Sequence, residues 1–312
     1  MTTSGSVDFS VSRDNLIEDA LRAAGALGVE DSASTNQKTH AARVLNMIVK
    51  AWGSSGPALW ARKRGYILPV SGTNEIVLGS GGGHATLSYT QTTLSAAAAS
   101  GATSIIVTSA TGFGASYYVG VELDNGNITW TTQSGAASGT TVTLAGGLDS
   151  AAASGNYVYV YQTKLQRPLR IVDAFVSNLS SNNDNGIDII PLADYNALSS
   201  KTEEGTPNCI SYDPQMDTGT ARIWPRFENG KTIITIYFQR PFEDFDAAGD
   251  TPDFPQEWFF AIFYALAVAL APTYGLPVQD RNLLRGEAKA AYDMAIGNEP
   301  EEGSFRFGPR YD

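Results

Sequence analysis

The chain has 312 residues and a formal charge of −11 at pH 7, because 21 Lys and Arg stand against 32 Asp and Glu. This balance argues against a nucleic-acid-binding protein of the usual kind, which carries a basic stripe for phosphates. The single cysteine, Cys209, excludes an internal disulfide framework and a zinc site built from cysteines.

Residues 1–62 are predicted to form a helical hairpin. Ser12 is placed to cap the first helix, and Ser34 begins the second, with Gln37 three positions later. The first helix has apolar residues on one stripe: Ile17, Leu21 and Ala24. In the second they recur at helical spacing: Ala41, Leu45, Ile48 and Trp52. Gly53 and the pair at 56–57 are expected to end this second helix.

Residues 63–83 are predicted to begin a β core. Strands are expected from Tyr66 to Val70 and from Glu75 to Leu78, around a four-residue turn. The glycine-rich run at 79–83 indicates a hinge. The two histidines, His40 and His84, lack a second histidine or cysteine at ligand spacing. Both are therefore expected at the surface, and no metal site is predicted.

Residues 84–164 differ from the rest of the chain in composition. Their charged residues are Glu122, Asp124, Asp149 and Lys164. Their strand-forming runs are SIIVT, YYVGVEL, NITWTT, TVTL and YVYVY, separated by turns. The spacing predicts an inserted all-β domain, a sandwich or a small barrel, with a disordered linker as the alternative. A weak internal repeat is present, because the similar octapeptides LSAAAASG at 94–101 and LDSAAASG at 148–155 each precede a strand.

The β core is predicted to resume in residues 165–254. The strands expected there span 167–172, 188–192, 210–212, 220–224 and 232–238. A short helical turn is expected at 194–198, followed by a polar loop at 199–208. The core is thus predicted to be one antiparallel β domain made from two separated segments.

Residues 239–276 combine two chemically opposite halves. The first half is acidic, with Glu243, Asp244, Asp246, Asp250 and Asp253. The second, Trp258 to Ala271, is an unbroken run of 14 apolar residues, preceded by Asp253 as a potential cap. Crossing a bilayer takes ~20 residues, so no membrane span is expected.

A helix that is apolar all round must be covered on every face, and another subunit is expected to supply part of the cover. The residues expected to pack between subunits are Trp258, Phe259, Phe260, Phe263 and Tyr264.

Residues 255–312 are predicted to contain the apolar helix, a last helix and a docking tail. The last helix, from Asp280 to Ile296, has the stripe Leu284, Ala288, Ala291 and Ala295. The docking tail, residues 299–312, shows no helix or strand periodicity. It is either a frayed terminus or a segment that becomes ordered on a partner. Its aromatic content favours docking. The residues expected to bind are Phe305, Arg306, Phe307, Arg310 and Tyr311.

The predicted fold is α+β. It comprises a helical bundle from the N- and C-terminal helix pairs, an antiparallel β domain, and the inserted all-β domain.

Several short sequence motifs follow one another along the two segments that flank residues 84–164, which we call the host segments. They are LRAAGALG, RPLRI, DYNALSSKTEEGTPN, RPFEDF, DFPQEWFFAIFYALAVALAP and YGLP. This order resembles the head-to-tail adaptor proteins of short-tailed bacteriophages, also called packaged-DNA-stabilisation or tail tubular proteins. The resemblance covers about residues 1–83 and 165–298, with 84–164 as an addition.

The resemblance implies a structural virion protein without a cofactor. Adaptors of this class form a ring, usually a dodecamer, below the portal and connect the capsid to the tail. They help to retain packaged DNA and continue the channel for its ejection. The implied partners are the portal protein, through the tail residues 305–311, a tail nozzle or other tail proteins, and further copies of the chain. DNA would pass without tight binding, and the protein would occupy the viral neck after assembly in the host cytoplasm.

Two other function classes remain open. Paired carboxylates could cleave peptidoglycan, with Glu203, Glu204, Glu243, Asp244 and Asp246 as the candidates. Such clusters are more commonly loop charges or caps, so no enzyme is predicted. The inserted domain could instead bind glycans through exposed rings, with Trp130, Tyr117 and Tyr118 as candidates. Alternatively, these rings occupy alternating positions of predicted strands and therefore belong to the core of the domain.

Overall fold

The computed structural model describes residues 5–55 and 59–297, which form helices and several mainly antiparallel sheets. The helices are α1 (Arg13–Ala23), α2 (Thr35–Ser55), α3 (Leu192–Ala197), α4 (Phe259–Leu270) and α5 (Val278–Gly297). The strands are β1 (Arg62–Ile67), β2 (Glu75–Leu78), β3 (Ala85–Thr86), β4 (Thr90–Thr93), β5 (Ser104–Ile106), β6 (Tyr118–Glu122), β7 (Ile128–Thr132), β8 (Thr141–Thr143), β9 (Tyr157–Tyr161), β10 (Arg170–Asn178), β11 (Asn183–Gly186), β12 (Asp188–Ile189), β13 (Glu204–Gly205), β14 (Cys209–Pro214), β15 (Gly219–Trp224), β16 (Arg226–Phe227) and β17 (Thr232–Gln239).

The chain divides into two compact units. The first combines the residues up to Ala61 with those from Pro241 onward, and the second is Arg62–Arg240. The first unit contains α1, α2, α4 and α5, and the second contains α3 and all the strands named above.

Both N-terminal helices begin as the sequence predicts. The Ser12 hydroxyl accepts the Asn15 N–H at the start of α1 (3.3 Å). At α2, the Ser34 hydroxyl accepts the Gln37 N–H, and the Gln37 side chain accepts the Ser34 N–H (2.9 Å). These reciprocal bonds are a capping box, which satisfies two amide groups that have no partner inside the helix.

α2 ends at Ser55, directly before the pair at 56–57 that was expected to end it together with Gly53. Gly53 itself lies inside the helix, against the ring of Phe242. A Cβ at this position would stand 3.1 Å from Phe242 Cδ2, so glycine lets the helix and this ring pack closely.

The core of the first unit is centred on α4, which contacts α1, α2 and α5. Its most buried residues have no solvent exposure: Ala261, Ile262, Leu266, Ala267 and Leu270. An aromatic cluster packs at its N-terminal end, formed by Trp52, Trp60, Phe242, Phe254, Trp258 and Tyr292. Fully burying one such side chain is worth about 1.5–3 kcal/mol, so this cluster makes a large contribution to the stability of the unit.

The predicted cap of the apolar helix by Asp253 is wrong. A 3-10 turn, Gln256–Trp258, precedes α4, and Pro255 occupies its N-cap. The Asp253 carboxylate instead accepts the N–H of Glu243 (3.1 Å). It therefore supports the acidic segment that leads into the helix.

In the second unit, the predicted core strands belong to two different sheets. One sheet has the order β11-β10-β17-β1-β3, and the other has the order β12-β14-β15-β2. The first predicted strand, Tyr66 to Val70, lies too far along the chain, because β1 spans Arg62–Ile67, whereas β2 has the expected bounds. β1 pairs with β17 from Arg62↔Gln239 to Ile67↔Ile234, whereas β2 pairs with β15. Long-range partners therefore decide their pairing.

Residues 84–164 contain all five predicted strands, within a few residues of their expected bounds. Four strands form a sheet of order β4-β9-β6-β7, and β5 pairs with β8. Fully buried valines form the core of this region: Val107, Val119, Val121, Val142 and Val158. No sheet of the described residues closes into a barrel, so the small-barrel form of the prediction is wrong.

The two octapeptides of the internal repeat, residues 94–101 and 148–155, pair with each other. The N–H groups of Ala98 and Ala152 each donate to the carbonyl of the other residue (2.8 and 2.9 Å). At one end Gly155 N–H donates to the Leu94 carbonyl, and at the other Gly101 N–H donates to the Leu148 carbonyl (2.8 and 2.7 Å). Equivalent positions of the internal repeat thus make equivalent hydrogen bonds, which gives this pairing a local two-fold symmetry.

Candidate functional site

An apolar groove lies between α1 and α4 in the first unit. Its volume is about 580 Å³. Its apolar lining comprises Phe9, Val11, Leu16, Phe259, Phe260 and Phe263, and its polar lining includes Asp19, Arg22 and Gln256. We call this feature the α1–α4 groove. A concave apolar site with a few polar groups is the usual form of a binding surface.

The first two turns of α4 supply the aromatic wall of this groove. Phe260 packs against Tyr264, four positions later on the same helix, at 4.7 Å between ring centroids. The ring of Phe263 lies at the same distance from that of Tyr264. Phe260 nevertheless keeps 52% of its surface exposed. Much of the roughly 1.5–3 kcal/mol available from burying this ring remains for a partner to supply.

The residues before α1 form a second wall. The Gln256 side chain donates a hydrogen bond to the Val7 carbonyl (2.8 Å), and Phe9 packs on Phe259 at 6.1 Å. Phe9 and Val11 were not predicted as part of a site, although Val7, Phe9 and Val11 alternate with polar residues along this segment. That alternation, which is typical of an extended segment with one apolar side, was the available signal.

Charged side chains along α1 and the start of α2 form a paired network. Arg22 contacts Asp19 at 2.9 Å and Glu18 at 3.5 Å, and Lys38 contacts Glu18 at 3.0 Å. The hydrogen bond from Lys38 holds the pKa of Glu18 below its usual range. Asp19 is the most exposed of these side chains (56%) and remains accessible at the side of the groove.

The structure separates the five predicted packing residues of α4 into two groups. Trp258 and Phe259 are buried by their own chain. Phe260 is exposed, and Phe263 and Tyr264 are half-buried. The surface that a second subunit could cover therefore consists of these last three rings.

The residues predicted to bind the portal lie outside the described residues. They are Phe305, Arg306, Phe307, Arg310 and Tyr311.

The carboxylates of residues 243–253 organise their own loop. Asp250 accepts the N–H groups of Asp246 and Ala247 (2.8 and 2.6 Å), and Asp244 forms an ion pair with Lys50 (2.9 Å). The carbonyl of Asp250 also accepts the N–H of Arg13, the first residue of α1 (2.7 Å). The segment therefore anchors the start of α1.

The other carboxylates considered for glycan cleavage belong to the second unit. Glu204 forms an ion pair with Arg226 at 2.6 Å, and its strand β13 pairs with β16. Glu203 accepts the Arg226 N–H through its backbone carbonyl (2.9 Å). Glu204 thus holds an arginine beside a short strand pair.

The rings considered for glycan binding are engaged in packing. Trp130 stacks on His84 at 3.9 Å, and its indole N–H donates to the Pro69 carbonyl (2.9 Å). Tyr118 stacks on Tyr161 at 4.8 Å. Tyr117 is half-buried against the core of residues 84–164. These contacts favour a packing role for all three candidates.

The prediction that His84 lies at the surface is wrong. In addition to its stacking on Trp130, its Nδ1 lies 2.8 Å from the Tyr161 hydroxyl. Burial, assisted by the nearby charge of Lys164, lowers the pKa of His84 to about 4. The half-buried, neutral imidazole is therefore a packing group of the second unit.

Among the described residues, no group of three or more His, Cys, Asp or Glu side chains is placed to hold a metal ion. In the same part of the chain, every helix is too short or too polar to cross a bilayer. A search of protein-family models found no match to this chain, and neither did a search of curated proteins.

Proposed function

We propose that this chain is a subunit of a ring-shaped head-to-tail adaptor in a short-tailed bacteriophage. It would lie below the portal, link the capsid to the tail, help to retain packaged DNA and continue the ejection channel. The motif order over residues 1–83 and 165–298 supports the proposal. The structural observation that carries it is the exposed aromatic face of α4, because a ring requires such a surface on every subunit.

In this proposal, α1, α2, α4 and α5 form the helical bundle through which subunits associate. The antiparallel sheets of the second unit form the β domain, and residues 84–164 are an insertion into it. The entry and exit of that segment support an insertion, because Leu165 N–H donates to the Ala85 carbonyl (2.7 Å). A segment whose ends meet can be added to a host sheet without separating its strands.

The tail residues 305–311 would bind the portal, and twelve copies would complete the ring. An isolated copy would bind weakly, because ordering each backbone residue costs about 1–2 kcal/mol. Many tails acting together would bind well, since each docked tail raises the effective concentration of the next.

Electron microscopy of the purified protein mixed with its portal tests this function. The expected result is an added ring of density below the portal. Removing residues 304–312 should abolish that ring while leaving the melting temperature of the isolated protein nearly unchanged. Absence of any portal complex with the intact chain would contradict the proposal.

DNA should pass the protein without being held. The formal charge of −11 repels phosphate, so binding of duplex DNA at physiological salt should be weak. A fluorescence-anisotropy titration against salt measures this directly. Sub-micromolar, salt-sensitive binding by the isolated protein would instead indicate a dedicated DNA-binding role.

A further inference from the structure

Residues 89–161 consist of two halves of equal length. The first half is residues 89–122 and the second half is residues 128–161, with 34 residues each and a short turn between them. Each half has three strands in the same order, β4, β5 and β6 in the first and β7, β8 and β9 in the second. Identical residues recur 39 positions apart: Thr90 and Thr129, Thr92 and Thr131, Thr93 and Thr132, Ser95 and Ser134, Tyr118 and Tyr157, Val119 and Val158, and Val121 and Val160.

The strand pairing stays the same when the two halves are interchanged. The sheet order β4-β9-β6-β7 places the last strand of each half at the centre, and the first strand of each half lies against the last strand of the other. The middle strands, β5 and β8, pair with each other. The registers also correspond pair for pair: Thr90↔Val160 with Thr129↔Val121, and Thr93↔Tyr157 with Thr132↔Tyr118. The two halves are therefore related by an approximate two-fold axis.

Hydrogen bonds outside the strands occur twice in the same way. The Thr92 hydroxyl accepts the Ser109 N–H (3.2 Å), and the Thr131 hydroxyl accepts the Gly146 N–H (3.0 Å). Backbone bonds form three further equivalent pairs: Thr108 N–H to Thr93 carbonyl with Ala145 N–H to Thr132 carbonyl, Ser95 N–H to Ile106 carbonyl with Ser134 N–H to Thr143 carbonyl, and Leu94 N–H to Asn156 carbonyl with Gln133 N–H to Tyr117 carbonyl.

The identical polar residues are the most informative part of this correspondence. A β domain requires only that apolar residues alternate along its strands, and it does not require the same polar residue at matching positions. Ser95 and Ser134 are both exposed, so core packing does not explain their identity. Matching polar residues with matching bonds therefore indicate two copies of one unit.

Each half depends on the other for its strand pairing. All strand pairs of the two sheets in residues 89–161, namely β4-β9, β9-β6, β6-β7 and β5-β8, join one half to the other. Val119 and Val121 of the first half share a core with Val158 and Val160 of the second, and none of the four is more than 1% exposed. A half without its partner would leave these valines in water and its strand backbone unpaired, and both changes are unfavourable. A unit of this kind is thus stable only beside a second copy.

The halves differ at two side chains that contact the host segments. Tyr159 and Trp130 of the second half donate hydrogen bonds to the backbone carbonyls of Gly230 and Pro69. The equivalent positions of the first half hold a glycine and a glutamine, Gly120 and Gln91. A Cβ on Gly120 would stand 2.7 Å from the ring of Trp130, so the first half leaves space for the indole of the second.

We infer that residues 89–161 are two copies of one β unit, and that the surface between the halves is a self-recognition surface whose partner is a second copy of the same unit. A tandem duplication supplies that second copy within this chain. The two halves have since become different where one of them contacts the host segments. Because the pairing lies within one chain, it is independent of the proposed ring.

A transplant between the halves tests their equivalence in the full chain. Residues 131–158 are replaced by the sequence of residues 92–119, which has the same length of 28 residues and the same two residues at each end. Trp130, Tyr159 and Tyr161 stay in place, so the contacts with the host segments and with Gly120 are kept. The variant should fold with one cooperative thermal transition. Its melting temperature should be lower than that of the native chain, because the pairing of the two octapeptides is lost.

Limited proteolysis with mass spectrometry shows which residues of the transplant are folded. The matched control carries the same 28 residues in shuffled order, and its residues 89–161 should be digested rapidly. Protection of both halves in the transplant but not in the control supports the inference. Equal protection of the control would show that composition alone suffices and would overturn it.

The reciprocal variant, with the sequence of residues 131–158 in place of residues 92–119, guards against a transplant that fails for a local reason. Folding of either transplant supports the inference. Digestion of residues 89–161 in both transplants, with the native chain protected under the same conditions, overturns it.

A double-mutant cycle tests the fit between the halves at their point of difference. Gly120→Ala should lower the melting temperature of the native chain, because the added Cβ meets the indole of Trp130. Trp130→Gln installs the residue found at the equivalent position of the first half. In that background Gly120→Ala should cause a much smaller loss of melting temperature. An equal loss in both backgrounds would contradict the fit between the halves and count against the inference.

Discussion

At the residue scale, two neighbours on α4 have opposite environments. Phe260 is half exposed, whereas Ile262, two positions later, has no exposed surface. Apart from the hydroxyl of Tyr264 the helix has no polar side-chain group, so its sequence does not distinguish these two positions. Only the packing of α1, α2 and α5 around it decides which apolar side chain stabilises the monomer and which remains accessible.

Phe260→Ala should therefore leave the melting temperature of the isolated protein nearly unchanged and weaken ring assembly. The matched control, Ile262→Ala, removes a fully buried side chain and should lower the free energy of unfolding by about 2–5 kcal/mol. Urea unfolding and portal-dependent ring formation measure the two effects. An equal loss of stability in both variants would show that Phe260 belongs to the core.

His84 should make the stability of the protein depend on pH. Burial lowers its pKa from 6.5 to about 4, so the unfolded chain binds the proton more readily. The stabilisation is complete above pH 6.5 and is lost as the pH falls through about 4. Its upper size is roughly 3 kcal/mol, at about 1.4 kcal/mol for each unit.

Urea unfolding between pH 4 and 7 tests this dependence. His84→Phe keeps an aromatic ring for stacking on Trp130 but cannot be protonated, so its stability should change less with pH than that of the native chain. His40→Gln alters the other histidine and measures any contribution that this residue makes to the slope. The same slope in all three proteins would exclude His84 as the source.

At the element scale, two helix glycines have opposite surroundings. A Cβ on Gly53 would stand 3.1 Å from Phe242, whose ring is held by Trp60 at 4.8 Å and by Phe254 at 4.7 Å. A Cβ on Gly286 would meet open space. The local gain in helix propensity is the same at both sites, so packing decides the outcome.

Gly53→Ala should destabilise the protein by about 1–3 kcal/mol, because the added methyl group pushes the ring of Phe242 against Trp60 and Phe254. Gly286→Ala should raise the stability of the monomer by up to about 1 kcal/mol. Thermal melts of both variants measure the stability changes, and a stabilised Gly53→Ala protein would refute the packing account.

Helix positions were predictable from the sequence because the apolar period and the capping residues are local. Ser12 and Ser34 cap as expected, and Ile17 and Leu21 are buried on one side of α1. The pairing of β1 with β17 was not predictable, since it joins residues separated by most of the second unit.

The candidate site was predicted only in part. The apolar run indicated α4 as a packing surface, but it could not separate buried Phe259 from exposed Phe260, because the sequence pattern is the same for both. The contribution of Phe9 to the groove depends on the path of the N-terminal segment. The alternation of Val7, Phe9 and Val11 with polar residues indicates an extended segment but does not say what it packs against.

At the scale of the whole molecule, residues 84–164 share a core with the rest of the second unit. Leu68 and Ile233 pack with Ile128, Tyr159 and Tyr161. The hydroxyl of Tyr159 also donates to the Gly230 carbonyl. The ends of the segment meet, but its removal leaves apolar surface behind.

Replacing residues 87–163 by a short Gly/Ser link should therefore give a chain that folds with a lower melting temperature and lower solubility. The bond between Leu165 and Ala85 shows that a short link can join the ends. Adding Leu68→Thr and Ile233→Thr to the deletion should recover solubility. An unchanged melting temperature would show that the shared core contributes nothing, and failure to fold would show that the segment is essential to the host sheets.

The paired octapeptides at 94–101 and 148–155 also affect how separate copies can entangle. Each octapeptide bonds to a near-copy of itself, so the same hydrogen bonds can form when the two segments come from different chains. Local opening of this pair at high protein concentration therefore permits exchange of segments, and the products are interlocked dimers whose contacts match those of the monomer. Crowding many copies around one axis raises the local concentration that favours such exchange.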